Sequence, residues 1–462
     1  MAPSVSYSIT VRLEVPARGN AVSQLTQAVE NAGGVVTALD VTASGHDLLR
    51  IDVTCAATDT EHAQQLTDAL TSVEGVAIHK VSDRTFLMHL GGKIEVHPKV
   101  PIRNRDDLSM AYTPGVARVS QAIMRNPDDV RRLTVKRNAV AVVTDGSAVL
   151  GLGNIGPAAA LPVMEGKAAL FKRFADIDAW PICLDTQDVT EIVRTVQLIA
   201  PVFAGINLED IAAPRCFEIE RRLRVSLDIP VFHDDQHGTA IVVLAALDNA
   251  LKVVGKKIED VRIVLSGAGA AGTAILSLLL AAGARHAVVA DVQGVIHRGR
   301  AGLSDELRWV AENSNAAELR GDLREALVGA DVFIGVSAPN ILTGADVAAM
   351  AGGAVVFALA NPEPEIAPAV AREHAEVVAT GRSDLPNQIN NVLAFPGVFR
   401  GLLDAHSHDV TTDMLLAAAY ALAATVSDEE RNANYVVPSV FHPGVALSVA
   451  AAVSGAVRRP TG

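Results

Sequence analysis

The chain has 462 residues, half of them hydrophobic and a fifth charged, with a formal net charge of −13. That length suggests roughly two to four domains, and the balance is that of a chain able to bury a large core. The acidity argues against a nucleic-acid or anionic-membrane partner, which a basic footprint would mark, but not against a small anion held by a local cation. Three cysteines, Cys55, Cys183 and Cys216, show no metal-ligand spacing and suit a reducing cytoplasm better than a disulfide framework. The N-terminus lacks the basic-then-apolar pattern of a secretory signal. The longest apolar stretch, residues 270–284, is too short for a bilayer and reads as a buried helix.

Residues 6–13 alternate as a strand, and 19–32 read as a helix with Leu25, Ala28 and Val29 on one face. Two strands, 35–43 and 47–55, flank a Ser44-Gly45-His46 turn. A second helix over 58–73 and a strand over 76–81 complete a βαββαβ, ferredoxin-like order. With the Asn31-Ala32-Gly33-Gly34 turn after the first helix, this segment resembles an ACT domain. That resemblance implies a small-molecule effector, such as an amino acid, bound between paired copies. An α+β module used only for dimer contacts fits the same elements, because fold alone does not give function.

Residues 86–101 form a connector punctuated by Gly and Pro. Helices and strands then alternate to residue 240, with apolar runs at 139–144 and 181–185 that read as buried parallel strands. Five further runs, 261–265, 287–290, 332–336, 354–360 and 376–379, are spaced for crossover helices, the pattern of a doubly wound α/β sheet. The chain closes on helices, including 414–425. The expected organisation is an ACT-like domain over 1–84, an α/β catalytic domain over 85–240, and a Rossmann-type dinucleotide-binding domain with C-terminal helices over 241–462.

Two Gly-x-Gly-x-x-Gly motifs occur. In Gly151-Leu152-Gly153-Asn154-Ile155-Gly156, Pro157 follows at once and Pro162 soon after, so a cofactor helix is poorly placed there; the motif is discounted as a cofactor fingerprint, with an active-site loop left open. The second, Gly267-Ala268-Gly269-Ala270-Ala271-Gly272, follows a strand, opens a helix over 273–282, and precedes a strand ending in Asp291. Gly267 permits the tight turn, Gly269 the approach of backbone N–H groups to a pyrophosphate, and Gly272 close helix–strand packing. Asp291 suits a ribose 2′-hydroxyl and favours NAD over NADP, while Arg298 and Arg300 just beyond leave NADP open.

Two acidic motifs remain: Asn207-Leu208-Glu209-Asp210-Ile211 and His233-Asp234-Asp235-Gln236-His237-Gly238. Each alone is an ordinary cap or turn, but carboxylates converging at strand ends suit Mg²⁺ or Mn²⁺. His233 and His237 share an i,i+4 spacing without the Glu of a zinc motif, so zinc is discounted.

From about Gly91 to Gly401 the chain resembles the short bacterial type of malic enzyme. The resemblance is carried by Ala111-Tyr112-Thr113-Pro114-Gly115, the first glycine motif with Val149 and Leu150, Met164-Glu165-Gly166-Lys167, and the two acidic motifs. Ser266 to Gly272, Leu359-Ala360-Asn361-Pro362-Glu363-Pro364-Glu365 and Gly381 to Val392 extend it. It implies oxidative decarboxylation of L-malate to pyruvate and CO₂. It also implies that Glu209, Asp210 and Asp235 ligate the metal, that Lys167 is the general base and Tyr112 the general acid, and that Asn361, Asn390 and Asn391 hold substrate or cofactor. Larger relatives grip the substrate carboxylate with an arginine where this chain reads Asp145-Gly146-Ser147-Ala148-Val149-Leu150, without one. Read without the resemblance, Lys167 after Gly166 is a surface lysine at a helix start. Asp234 either hydrogen-bonds in the site or caps the following helix. A lysine serves as base only if its pKa falls, through burial and a nearby cation. The resemblance further implies a homodimer or higher homo-oligomer. Rival readings are a decarboxylating dehydrogenase of another 2-hydroxy acid, an oxaloacetate decarboxylase, and a non-catalytic cofactor or effector sensor.

Overall fold

A computed structural model describes residues 3–17, 19–149 and 151–457. The chain divides into two compact units, Met1–Val96 and His97–Gly462. In the first, β1 (Ser4–Pro16), β2 (Val35–Ser44), β3 (Leu48–Ala57) and β4 (Ala77–Asp83) form an antiparallel sheet of order β2-β3-β1-β4. Strand periodicity sends Ile9, Val11, Leu13 and Val15 to one face, where they pack with Leu25 and Val29 of helix Ala21–Asn31 and Leu66 and Leu70 of helix Thr60–Thr71. Arg12 forks onto Asp52 on the outer face. This is the expected ferredoxin-like arrangement. His62 joins its two helices, accepting from Thr58 N–H at 3.0 Å through Nδ1 and meeting Ala32 O at 2.8 Å through Nε2.

The second unit begins with helices Arg105–Ala111, Gly115–Arg125 and Asp129–Leu133, none of which buries a residue. Strands β5 (Ala139–Thr144), β6 (Asp178–Cys183), β7 (Gly205–Leu208) and β8 (Val231–His233) then form a parallel sheet of order β6-β5-β7-β8. β5 is buried throughout, as its unbroken apolar run requires. The run at 181–185 is the end of an earlier-starting edge strand, β6, and is only half-buried.

Next come β9 (Arg262–Ser266), β10 (His286–Asp291), the short β11 (Gly294–Val295), β12 (Val332–Gly335), β13 (Val355–Ala358) and β14 (Val377–Thr380). Their order is β11-β10-β9-β12-β13-β14, parallel except for β11. The sheet reverses direction at β9, the switch point where α/β sheets open a ligand crevice. In the chain, the helix Thr239–Val254 comes between the two sheets and is buried nearly all round. Together with its preceding turn, Asp234–Val254 is long and apolar enough to cross a membrane, which residues 270–284 are not. Two-thirds of its most apolar window (67%) is buried inside the protein, as in a core helix. The C-terminal helices return to the first sheet's side: Phe395 and Phe399 of helix Phe395–Asp404 pack edge-on against Phe171, at 4.7 and 5.3 Å between ring centroids.

Candidate active site

Parallel pairing of β7 with β8, Leu208 opposite His233, brings both acidic motifs out at the same end of the sheet. Glu209 N–H still bonds Val143 O at 2.9 Å, continuing the ladder. Asp210 then turns into the left-handed region at φ 53°. After β8 the chain makes one π-helical turn, Asp234–Gly238, before the core helix. Such turns are rare and concentrate at functional sites. Asp235 accepts the Asp210 N–H at 2.9 Å, and oxygens of Glu209, Asp210 and Asp235 come within 4.8 Å of one another. Burial, and then the neighbouring Glu209 and Asp235 charges, push the Asp210 carboxyl up to about 8. Burial likewise raises Glu209 and Asp235. Three hard oxygen donors that repel one another, two of them buried and Asp235 partly exposed, fit a divalent cation such as Mg²⁺ or Mn²⁺.

Lys167 lies mid-helix in Gly156–Ala175, not at a surface helix start, and only 7% of its side chain is exposed. The helix runs through Pro162, so the prolines do not prevent it from opening at Gly156. Lys167 Nζ donates to Glu209 at 3.0 Å and to Asp234, and sits 3.9 Å from the centroid of the Phe395 ring. Burial disfavours its ammonium, but Asp234 and Glu209 outweigh burial, so its pKa is raised. The lowering required of a base therefore does not come from burial alone. Asp234 is no mere helix cap: it receives Lys167 and Asn391 together. Consecutive residues on the π turn thus face different parts of one site, Asp234 the lysine and Asp235 the other carboxylates.

Gly238 makes this geometry possible. A Cβ there would meet Asp234 Oδ1 at 2.0 Å. Gly238→Ala should displace Asp234, collapse kcat and cost about 1–3 kcal/mol of stability from overpacking. Thermal melts and initial rates check this, and a variant unchanged in both contradicts the arrangement. Glu220, which the sequence did not single out, anchors the turn by receiving His233 N–H at 3.2 Å and His237 Nε2 at 2.8 Å. That bond occupies His237, and burial pushes the His233 imidazole down to about 4; the clustered donors are the three carboxylates.

The other sequence-chosen residues lie elsewhere. Tyr112 is 67% exposed at the end of helix Arg105–Ala111. Among the described residues no hydrogen bond links its hydroxyl to the cluster. Asn390 Oδ1 caps the short 3-10 turn Asn391–Leu393 by accepting Val392 N–H at 3.0 Å, while Asn391 alone reaches Asp234. Asn361 Nδ2 donates to Leu359 O at 3.2 Å beyond β13. The first glycine loop abuts it, with the Gly151 Cβ position 3.6 Å from Pro362; Leu150 lies outside the described residues. Sequence reading also missed Phe395, and it left open whether Asp234 bonds in the site or caps the helix, because both depend on packing between distant segments.

At the β9 switch point Gly267 has φ 107°, and Gly272 stands where a Cβ would strike Gly267 O at 1.9 Å. Gly269 opens the helix Ala270–Ala281, and a Cβ at Gly269 would meet nothing within 4 Å. Ala268 precedes it, and Ala270 and Ala271 form the helix's first turn, leaving backbone N–H groups toward an open cradle. Gly267 N–H bonds Ala290 O at 2.8 Å, which sets Asp291 beside the glycine loop. The chain's own residues therefore fit a dinucleotide.

Linkage predicts a pH signature of the carboxylate cluster without metal. For Asp210, a folded pKa of about 8 against an ordinary 3.8 means stability fully present below 3.8 and lost progressively until pH passes about 8. Melting temperatures of chelator-treated protein should fall across this window, less steeply in Asp210→Asn. Added Mn²⁺ should flatten the fall. Parallel curves for the two proteins would contradict this account.

A Rossmann-type sheet with an open glycine-loop cradle, in one unit with a parallel sheet bearing a lysine–carboxylate cluster, is the layout of a nicotinamide-dependent dehydrogenase. Residues 91–224 match the malic enzyme N-terminal domain and 236–458 the malic enzyme NAD-binding domain. The chain belongs to the malic enzyme family. It is similar to the NAD-dependent malic enzyme of Geobacillus stearothermophilus, 54% identical over 98% of this chain and 95% of that one. It is also similar to the bifunctional malic/malolactic enzyme of Bacillus subtilis, 53% identical over 83% of this chain and 92% of that one. Among solved structures, the NAD-dependent malic enzyme of Thermotoga maritima superposes with a TM-score of 0.78 at 49% identity, covering 81% of this chain and 99% of that one.

Proposed function

We propose that this chain oxidises and decarboxylates L-malate to pyruvate and CO₂ while reducing NAD. The observation that carries this is Lys167, buried between Glu209 and Asp234 beside the three-carboxylate group. Glu209, Asp210 and Asp235 hold a divalent cation, and Gly267 to Gly272 with Asp291 and Asn361 hold the dinucleotide. When bound, NAD supplies the hydride acceptor and the cation supplies Lewis-acid polarisation of the C2 oxygen and of the enolate left by loss of CO₂.

Lys167 takes the proton of the C2 hydroxyl as hydride leaves C2. Asp234 and Glu209 hold the Lys167 pKa up, and a cation held by Glu209 beside the amine would act in the opposite direction, toward the value of a working base. Asp234 and Asn391 orient the amine, and Asn390 shapes the loop that presents Asn391. Tyr112 returns a proton to C3 of the enolate. The test is reduced-nicotinamide formation from L-malate with Mn²⁺, alongside tartrate and isocitrate. No signal from L-malate with either NAD or NADP overturns the proposal, and a faster rate with another acid transfers it to that substrate.

We further assign residues 1–84 to regulation, 85–240 to substrate and metal, and 241–462 to the cofactor. The ferredoxin-like order and the ACT resemblance support an effector site in the first unit. Removing residues 1–84 should change effector response or assembly while L-malate turnover persists. An identical response and assembly state would remove the regulatory assignment. The proposed setting is the cytoplasm, without membrane or nucleic-acid partners, as a homodimer or higher homo-oligomer.

A further inference from the structure

Asp291 does not stand alone at the end of β10. Its Oδ1 accepts the Gln293 N–H at 2.8 Å, and Arg300 straddles both oxygens, Nη1 to Oδ1 at 2.9 Å and Nη2 to Oδ2 at 2.6 Å. Nη2 also reaches Gln293 Oε1 at 2.8 Å. The two charged side chains are largely shielded, 18% and 13% exposed. Arg298 turns elsewhere, to Glu312 O at 3.2 Å and toward Glu318 at 3.8 Å. Of the two arginines near the site, only Arg300 belongs to it.

Two consequences follow from donor and acceptor capacity. A carboxylate offers about four acceptor positions, two on each oxygen. Asp291 Oδ1 is filled by two donors and Oδ2 by one, so one position on Oδ2 remains for a ribose hydroxyl. The fork is also close to neutral, so Asp291 repels a 2′-phosphate far less than a bare carboxylate would. What bars the phosphate is that the guanidinium, whose planar donors match phosphate oxygens two at a time, is already engaged.

We infer that Arg300 is a specificity-determining residue for the cofactor: a ready-made 2′-phosphate receptor that Asp291 occupies. Removal of one carboxylate then turns an NAD site into an NADP site with no added cation. The inference rests on the reading above that residues 267–291 bind the nicotinamide dinucleotide.

The test is titration calorimetry on the full chain with 5′-AMP, 2′,5′-ADP, NAD and NADP. Four proteins are compared: wild type, Asp291→Ser, Arg300→Ala and the double variant. Asp291→Ser should raise the affinity for 2′,5′-ADP relative to 5′-AMP by about tenfold or more. Arg300→Ala should shift the ratio the other way, because the phosphate then faces a bare carboxylate. The double variant should lose the gain. Each ratio compares two ligands on one protein, so a reduced folded fraction cancels. The kcat/KM ratio for NADP over NAD should follow the same order. An unchanged ratio in Asp291→Ser, or a gain kept in the double variant, overturns the assignment of Arg300. Wild-type protein that binds none of the four ligands overturns the cofactor reading itself and the inference with it.

Discussion

Lys167→Ala should lower kcat by roughly 10²–10⁴-fold, the range that positioned proton transfer contributes. It should also destabilise the protein without metal. Lys167 is the cation that Glu209 and Asp234 share in a site closed to water. Removing it leaves buried carboxylates without a counter-charge, a loss of about 3–5 kcal/mol for a broken buried pair. Mn²⁺ should therefore raise the melting temperature of this variant more than that of the wild type. Lys167→Arg separates the two roles. A guanidinium keeps the positive charge but does not release a proton near neutral pH, so stability should recover while turnover does not. Turnover persisting in both variants would remove Lys167 from the chemistry. A melting temperature unchanged in Lys167→Ala would remove it from the charge balance.

The parts of this site differ in how readable they are. The dinucleotide unit is local: strand, glycine turn, helix and closing acid lie within residues 261–291, so periodicity and glycine spacing suffice. The carboxylate group is half local. Glu209 and Asp235 each follow a short apolar run, and parallel pairing of β7 and β8 sets those ends side by side. Neither acidic pair announces that pairing by itself. Lys167 is the opposite case. Gly166 and two nearby prolines suggest a broken, exposed start, yet the helix Gly156–Ala175 runs on and its lysine is enclosed. The enclosure is supplied by Phe395 and Asn391, more than 220 residues later in sequence, carried back by C-terminal helices that pack against Phe171. No local pattern encodes a contact made across such a separation. Arg300 lies only nine residues beyond Asp291, yet is no easier to read. Its charge is visible in the sequence, but its engagement with Asp291, and not that of Arg298, is a matter of side-chain direction.

Tyr112 leads to the second large effect. The assigned proton donor is exposed, whereas the base it must work with is buried, and no bond among the described residues joins them. Its neighbours Leu108, Met110, Val116, Val119 and Met124 are exposed as well, on helices that bury nothing within their own chain. An apolar surface of this kind calls for a covering partner. If the second copy of the proposed homodimer covers this surface across a two-fold axis and brings each Tyr112 to the other chain's Lys167, the site is shared between chains. Tyr112→Phe alone should then reduce turnover about as severely as Lys167→Ala. The two inactive variants, mixed and allowed to exchange subunits, should regain activity. A mixed dimer holds one site with both residues intact and one with neither. Equal mixing with random pairing therefore restores roughly one quarter of wild-type activity. Native mass spectrometry establishes that mixed dimers have formed, so an absence of recovery is interpretable. Mixed dimers without activity would place Tyr112 in its own chain's site or outside the mechanism. A chain that stays monomeric at working concentration would exclude the shared site directly.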